Sequence, residues 1–286
     1  MLRFLATILV SFALTASAVA AEKIRLAVTD IEGLEALQRE FGPFSDALSK
    51  ITGHEVELFP VSSRTAAVEA MVSEQVDFVL TGPAEYVVIK QLAQPTIVVA
   101  WQRPEYYAQI VTLSDGPIQT VEDLKGKKVA FGSVGSTSQH LGPAQALADH
   151  GLKYGVDYDG QIISRNTAVE AMVNGDIQAV GMNRSHLEKI RAAYPDVAFS
   201  VIARGPDLPN DILVARKGVS PELIATVRDS FVKDGKTLME AVLKGDDNQK
   251  YEGGFFLAKV EDRNYDYVRS MYRTIGVTTF NGFVGN

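Results

Sequence analysis

The sequence predicts an α/β protein built from two similar lobes. Short apolar runs typical of strands alternate with helical patterns along most of the chain, which indicates mostly parallel sheets. A ten-residue segment also occurs twice, at residues 63–72 and 164–173, with eight identical positions at an offset of 101. A strand pattern precedes each copy, so each copy is expected to open a helix in its own lobe.

The first lobe is expected to follow a leader. Its strand patterns cover residues 23–28, 55–61, 76–80, 96–101 and 107–113, and its helical patterns cover residues 44–51, 65–73 and the stretch that carries Tyr86.

A candidate binding site in the second lobe begins at a glycine-rich turn, residues 132–135. The turn follows a buried strand predicted at 128–131 and precedes a helix predicted at 141–150. Ser136, Thr137 and Ser138 follow the glycines at the start of that helix. Unpaired N–H groups and the helix dipole make such a place suited to a tetrahedral oxyanion. The alternative is an ordinary helix N-cap, for which one hydroxyl would suffice. A Walker A loop is excluded because no Gly-Lys-Ser/Thr follows the glycines.

The second lobe continues with alternating strands and helices, and the chain then returns to the first lobe. Strands are predicted at 161–164, 177–182, 197–203 and 212–215, and helices at 167–174, 186–193, 220–243 and within the aromatic tail 255–275.

Each copy of the repeat places an arginine, Arg64 or Arg165, where a strand meets a helix. Ligands of open α/β sheets bind beyond the carboxyl ends of the strands. Two facing lobes would therefore direct both arginines into one cleft. The alternative is that both are solvated surface groups.

Composition and the first residues narrow the class of protein. Residues 1–21 combine one charge, Arg3, an apolar run and an Ala18-Val19-Ala20 cleavage pattern, which predicts a secretory signal peptide. The chain has no cysteine, which excludes disulfides, thiolate metal sites and a lipidated cysteine. The net charge of −7, or −8 without Arg3, argues against a nucleic-acid partner. We expect a soluble, untethered protein of a Gram-negative periplasm.

Several motifs resemble the phosphate/phosphite/phosphonate-binding periplasmic proteins of ABC transporters. The resemblance lies in residues 123–131, the Ser-Thr-Ser turn with Pro143, the stretches 76–78 and 81–86, Asn174-Gly175-Asp176 and Pro209-Asn210-Asp211. It covers roughly residues 24–222.

The resemblance implies a type II-like periplasmic binding protein, with two Rossmann-like lobes joined by two hinge strands around a ligand cleft. It implies lobe 1 at residues 22–111, lobe 2 at 112–203, and a return to lobe 1 with C-terminal helices at 204–286. The expected partners are a small-molecule oxyanion and an inner-membrane ABC permease. The protein is expected to be a monomer without a cofactor.

The same resemblance assigns ligand-binding roles to particular residues. Ser136, Thr137 and Ser138 would bind the phosphonate oxygens, and Tyr106, or Tyr107 one position on, would correspond to a family tyrosine. Asp211 would supply a carboxylate for an aminoalkyl group.

Two positions depart from the family pattern. Arg64 stands where the family usually has tyrosine, and Arg165 where it usually has histidine. Because guanidinium is always charged and can bind an oxyanion through two hydrogen bonds, we expect a more anionic ligand.

Other functions stay open at the level of sequence. The four histidines form no metal-binding spacing, and no nucleophile-elbow motif occurs, so an enzyme is disfavoured. The chain could instead serve a sensor kinase, or bind a sulfonate, a carboxylate, or ferric iron through Tyr86, Tyr106 and Tyr107. Tyr86 could equally be a core residue. Asn183, at the end of a strand, is a candidate ligand contact or a helix N-cap.

Overall fold

The computed structural model describes residues 23–29 and 31–284, which form two α/β lobes. The predicted signal peptide lies outside these residues. No helix in the described ranges is long and apolar enough to cross a membrane.

The first lobe is built on a six-stranded sheet with the order β11-β4-β10-β3-β1-β2. Its strands are β1 (Ile24–Val28), β2 (Val56–Leu58), β3 (Phe78–Thr81), β4 (Thr96–Trp101), β10 (Asp211–Ala215) and β11 (Phe256–Leu257). The second lobe has a five-stranded sheet with the order β7-β6-β8-β5-β9. Its strands are β5 (Tyr107–Leu113), β6 (Lys128–Phe131), β7 (Asp159–Ile162), β8 (Ala179–Asn183) and β9 (Phe199–Asp207).

Nine α-helices are found in the described part of the chain. They are α1 (Leu34–Thr52), α2 (Arg64–Val72), α3 (Pro83–Ala93), α4 (Gly142–Asp149), α5 (Arg165–Val173), α6 (Arg184–Ala193), α7 (Pro221–Lys233), α8 (Gly235–Val242) and α9 (Asp266–Thr274). The long helix expected over 220–243 is therefore two helices, because the backbone leaves the helical region at Asp234 (φ −115°, ψ 20°).

Between the first and last described strands, the chain crosses from one lobe to the other twice, at residues 102–106 and 208–210. These crossings differ from the boundaries expected after residues 111 and 203. Strand β5 pairs along its length with β8 and β9, so it belongs wholly to the second sheet.

Both sheets contain more antiparallel pairing than the alternating pattern indicated. Strands β1, β2 and β3 are parallel, as are β6, β7 and β8, whereas β5 and β10 run antiparallel to their neighbours. A strand that starts at a crossing begins at the cleft and runs away from it, opposite to strands that end there.

The two copies of the repeat become α2 and α5, and each begins with its arginine. Ser63 caps α2 by accepting a hydrogen bond from the Ala66 N–H at 3.1 Å, and Ser164 occupies the same position before α5. The fold class and the lobe symmetry predicted from the repeat are confirmed.

An aromatic cluster around fully buried Trp101 anchors the first lobe. Its ring lies 5.1 Å from that of Phe44 and 5.8 Å from that of Phe231. Because Trp101 ends β4, this cluster fixes the strand from which the first crossing departs.

Candidate functional site

The glycine-rich turn leads from β6 into a single π-helical turn, Thr137–Leu141, before α4 begins. Gly135 has a φ of +72°, which disfavours a side chain there. A Cβ on Gly132 would overlap the Gln139 side chain. Backbone conformation therefore favours glycine at 135, and the packed Gln139 side chain favours it at 132. The wider turn presents three successive hydroxyl residues at one edge of the sheet.

The three hydroxyl residues lie in the floor of a cleft between the lobes. Ser136, Thr137 and Ser138 are each at least nine-tenths buried, and all three line a cleft of 330 Å³. The Ala84 N–H, from the start of α3 in the first lobe, donates to Thr137 Oγ1 at 3.0 Å. The second lobe's turn is thus tied directly to a helix N-terminus of the first lobe.

Asn183 is at once a helix cap and part of the cleft wall. Its Oδ1 accepts a hydrogen bond from the His186 N–H at 3.0 Å, and its Nδ2 donates to Ser138 Oγ at 3.1 Å. The two sequence-based interpretations of Asn183 are therefore compatible.

Arg64 reaches from the first lobe towards the second. Its Nε forms an ion pair with Glu85 Oε1 at 2.8 Å, and its Nη1 donates to the Val134 carbonyl at 3.3 Å. Glu85 is almost fully buried, so Arg64 supplies the positive charge that this carboxylate needs in the cleft.

Arg165 lines the same cleft from the second lobe. Its Nε donates to Gln139 Oε1 at 3.3 Å, and burial lowers its pKa. The structure thus brings the two repeat-related arginines into the lining of one cleft, one from each lobe, as the repeat predicts.

Tyr106 lies at the first crossing and faces the cleft. The Arg103 guanidinium is 3.7 Å from the centroid of its ring. Burial, as the main cause, raises the pKa of Tyr106 to about 12, with the Arg103 charge acting in the opposite direction. The phenol therefore stays protonated and can donate a hydrogen bond to an anion.

Asp211 lies behind the cleft wall rather than in it. Tyr251 OH donates to Asp211 Oδ2 at 2.6 Å, and Arg103 Nη1 lies 3.4 Å from its Oδ1. Both carboxylate oxygens are engaged within the protein, so the structure does not present Asp211 to an aminoalkyl group.

Tyr86 and Tyr107 also lie outside the cleft lining. The Tyr86 ring is fully buried, and its hydroxyl donates to Asp262 at 2.9 Å, as the core interpretation predicts. The Tyr107 ring packs under Arg204 at 3.7 Å. Tyr86, Tyr106 and Tyr107 therefore do not form one cluster for ferric iron. Within the described ranges, no group of three or more His, Cys, Asp or Glu residues is placed to hold a metal ion.

The cleft carries more positive charge than the sequence analysis assigned to it. Among the described residues, five cationic side chains and two carboxylates line it: Arg64, Arg103, Arg165, Lys189, Lys250, Glu85 and Asp247. Its charge is opposite in sign to the net charge of −7 of the whole chain. An anionic ligand is the species that this lining favours.

Sequence reasoning missed several of these lining residues. Glu85 lies within residues 81–86, a stretch that resembles the family, and Arg103 lies three residues before Tyr106. Both could therefore have been identified from their neighbours in the sequence. Lys250 and Asp247 come from a 3-10 turn, Asp246–Tyr251, more than 100 residues from the glycine-rich turn. His186 lines the cleft too, and its buried Nδ1 has no hydrogen-bond partner within the described chain.

Comparison with known proteins adds a family and several relatives. Residues 26–254 match the family described as the periplasmic substrate-binding protein of phosphonate ABC transporters. The chain is 25% identical over 277 residues to the "Phosphate-import protein PhnD" of Mycolicibacterium smegmatis, covering 89% of this chain and 86% of the relative. It is also 25% identical over 233 residues to the "Phosphonates-binding periplasmic protein" of Escherichia coli, covering 77% and 69%.

A solved structure has the same fold. PhnD1 from Prochlorococcus marinus, in complex with methylphosphonate, superposes with a TM-score of 0.66 at 18% identity, over 89% of this chain and 98% of that one.

Proposed function

Since the chain belongs to the family of periplasmic substrate-binding proteins of phosphonate ABC transporters, we propose that it captures a phosphonate or a related phosphorus oxyanion in the cleft between its lobes. The observation that carries this proposal is the Ser136–Ser138 turn. Its three hydroxyl residues line a cationic cleft at the carboxyl end of a strand, where anions bind in open α/β folds.

The proposed mechanism is capture by lobe closure. The anion meets the turn of the second lobe, and Arg64 with the α3 N-terminus completes the site from the first lobe. Hinge motion of this kind requires ligand contacts that exist only in the closed state. In this proposal, lobe closure forms the contacts of Arg64 with Val134 and of Ala84 with Thr137, each of which joins the two lobes.

The number of available donors is sufficient for tight binding. Micromolar affinity corresponds to about −8 kcal/mol. A charge-assisted hydrogen bond contributes about 1.5–3 kcal/mol net, so four or five of them would provide this and offset part of the cost of association.

A thermal-shift screen confirmed by calorimetry tests the ligand class. The panel holds phosphate, phosphite, methylphosphonate, 2-aminoethylphosphonate, phosphonoacetate, sulfate, methanesulfonate and a dicarboxylate. Stabilisation by a phosphorus oxyanion supports the proposal, with about 2.7 kcal/mol expected at a hundredfold excess over Kd. Stabilisation by a sulfonate or dicarboxylate alone would keep the fold and overturn the ligand class.

Ser136→Ala tests the turn itself. The Ser136 side chain has no hydrogen bond within the described chain, so its hydroxyl is available to a ligand. We expect a roughly tenfold weaker affinity for methylphosphonate by calorimetry, because one hydrogen bond to a charged group is lost. Ser270→Ala, on the exposed face of α9, is the matched control. If Ser136→Ala bound methylphosphonate as tightly as the wild type, the turn would not be part of the binding site.

The remaining parts of the proposal concern the protein's setting. The protein works as a monomer in the periplasm, without catalysis, and delivers its ligand to an inner-membrane permease. Conversion of any bound phosphonate into product, followed by ³¹P NMR, would contradict a pure binding role. Retention of the permease from detergent extracts on immobilised, ligand-loaded protein would support transport, whereas retention of a sensor kinase would favour signalling.

A further inference from the structure

The two arginines that line the cleft, one from each lobe, differ in how their charges are balanced. Arg64 has the buried carboxylate of Glu85 at 2.8 Å. Within the described residues, the hydrogen-bond partner of Arg165 is the neutral amide oxygen of Gln139, at 3.3 Å, which is long for a hydrogen bond. Among the described residues, no carboxylate forms an ion pair with Arg165.

A half-buried cation with a neutral partner is poorly stabilised. Removing a guanidinium from water costs free energy that an opposite charge normally offsets. Burial lowers the pKa of Arg165, the direction expected for a cation without that compensation. An anionic group from a ligand would supply what the protein does not.

Arg165 and Asn183 approach the glycine-rich turn from opposite sides. In the second sheet, β6 lies between β7 and β8, so the residues that follow β7 and β8 flank the turn on opposite sides. Ser138 is bound from the β8 side by Asn183, and Gln139 is bound from the β7 side by Arg165. A phosphonate held by Ser136–Ser138 would leave Arg165 available to another part of the same ligand.

We propose that Arg165 determines specificity by binding a second anionic group of the ligand, a carboxylate or a second phosphoryl group, so that the preferred substrates are phosphonates with two acidic groups. This inference rests on the proposed function of the cleft. It assigns different roles to the two arginines: Arg64 balances Glu85 and completes the phosphonate site from the first lobe, and Arg165 binds the second anionic group.

Calorimetry with three ligands and three variants tests the assignment. Methylphosphonate has one acidic group, and phosphonoacetate and methylenebisphosphonate have two. The wild type is expected to bind the latter two at least tenfold more tightly. Arg165→Gln should weaken their binding roughly 10- to 100-fold and change methylphosphonate binding less than threefold. Arg165→Lys keeps the charge and should restore part of the difference.

Arg263→Gln is the matched control, because Arg263 is an exposed arginine that pairs with Glu261. Its affinities should equal those of the wild type. Equal losses for one-acid and two-acid ligands in Arg165→Gln would mean that Arg165 contacts the phosphonate itself, and would overturn this inference alone. Failure of the wild type to bind any phosphonate would overturn the proposed function and this inference together.

Discussion

Tyr86 and Tyr106 are both buried tyrosines, and their hydroxyl groups have different surroundings. Tyr86 donates to Asp262, which Arg269 also contacts at 2.6 Å, and its ring packs 4.4 Å from that of Tyr265. Tyr106 faces the cleft. The surroundings of the hydroxyl group therefore distinguish a structural tyrosine from a binding one. The sequence alone does not show those surroundings.

Substituting each tyrosine by phenylalanine should separate the two roles. Tyr86→Phe removes one hydrogen bond in the core and should lower the free energy of unfolding by about 1 kcal/mol without changing ligand affinity. Tyr106→Phe should weaken methylphosphonate binding several-fold with little change in stability. Urea unfolding and calorimetry on both variants measure these quantities. A loss of ligand affinity in Tyr86→Phe would show that Tyr86 contributes to the binding site.

The local elements with strong sequence signals were predicted well. The internal repeat placed two arginines at equivalent helix starts, and β4, β5 and β6 have the predicted bounds. The π-helical turn and the break at Asp234 were not predicted. The i→i+5 hydrogen bonds of a π-helical turn leave no distinct composition in the sequence. The break falls at Asp234-Gly235, a dipeptide typical of turns, but the apolar pattern on either side of it predicted one continuous helix.

The turn depends on a buried histidine that follows it. His140 is 2% exposed, its Nδ1 accepts a hydrogen bond from the Gly135 N–H at 3.0 Å, and its Nε2 contacts Tyr154 OH at 3.0 Å. Burial lowers the pKa of His140 to about 4, so the ring is neutral in the folded protein near pH 7. Only the neutral ring can accept the hydrogen bond that holds Gly135.

Stability should therefore fall on acidification between about pH 6.5 and pH 4. In the unfolded chain His140 binds a proton near pH 6.5, while in the folded chain it resists protonation down to about pH 4. The unfolded state then binds more protons in this window, which costs about 3 kcal/mol of stability over its full width. Urea unfolding of His140→Gln should show a flatter pH dependence than wild type, and exposed His150→Gln should not. Parallel profiles for wild type and His140→Gln would contradict this account.

At the scale of the whole molecule, the C-terminal segment contacts both lobes. Thr274 Oγ1 donates to Gln145 Oε1 on α4 at 2.6 Å, and Tyr267 OH lies 3.4 Å from Asp149. Phe283 and Val284 line a second cavity beside the cleft, together with Arg64 and Ser133. The end of the described chain thus packs where the lobes meet.

Removing residues 282–286 should loosen the closed arrangement without unfolding either lobe. We expect the dissociation rate of a bound phosphonate to rise several-fold, because the packing of Phe283 and Val284 where the lobes meet is lost. Stopped-flow measurement of ligand release checks this expectation. Phe255→Ala, at an exposed aromatic residue of the first lobe, is the control. A dissociation rate unchanged by the truncation would mean that the segment does not hold the lobes together.

The sequence did not predict which residues from distant parts of the chain line the cleft. The turn and the two arginines have local sequence patterns, and they were predicted correctly as lining residues. Lys250 joins the cleft from the far end of the chain, and Asp211 is withdrawn from it by Tyr251. Both outcomes depend on how the returning chain packs against the first lobe.

The contrast between an acidic protein and a basic cleft affects how fast a ligand arrives. Beyond the Debye length of about 8 Å at 0.15 M salt, a charged ligand senses little of either field. At low ionic strength the net charge of −7 repels an anion at a distance, and only the mouth of the cleft attracts it. Added salt should therefore slow capture less than it would for a uniformly basic protein. Ligands then reach the cleft by diffusion rather than by long-range electrostatic attraction, and the contacts inside the cleft discriminate between them.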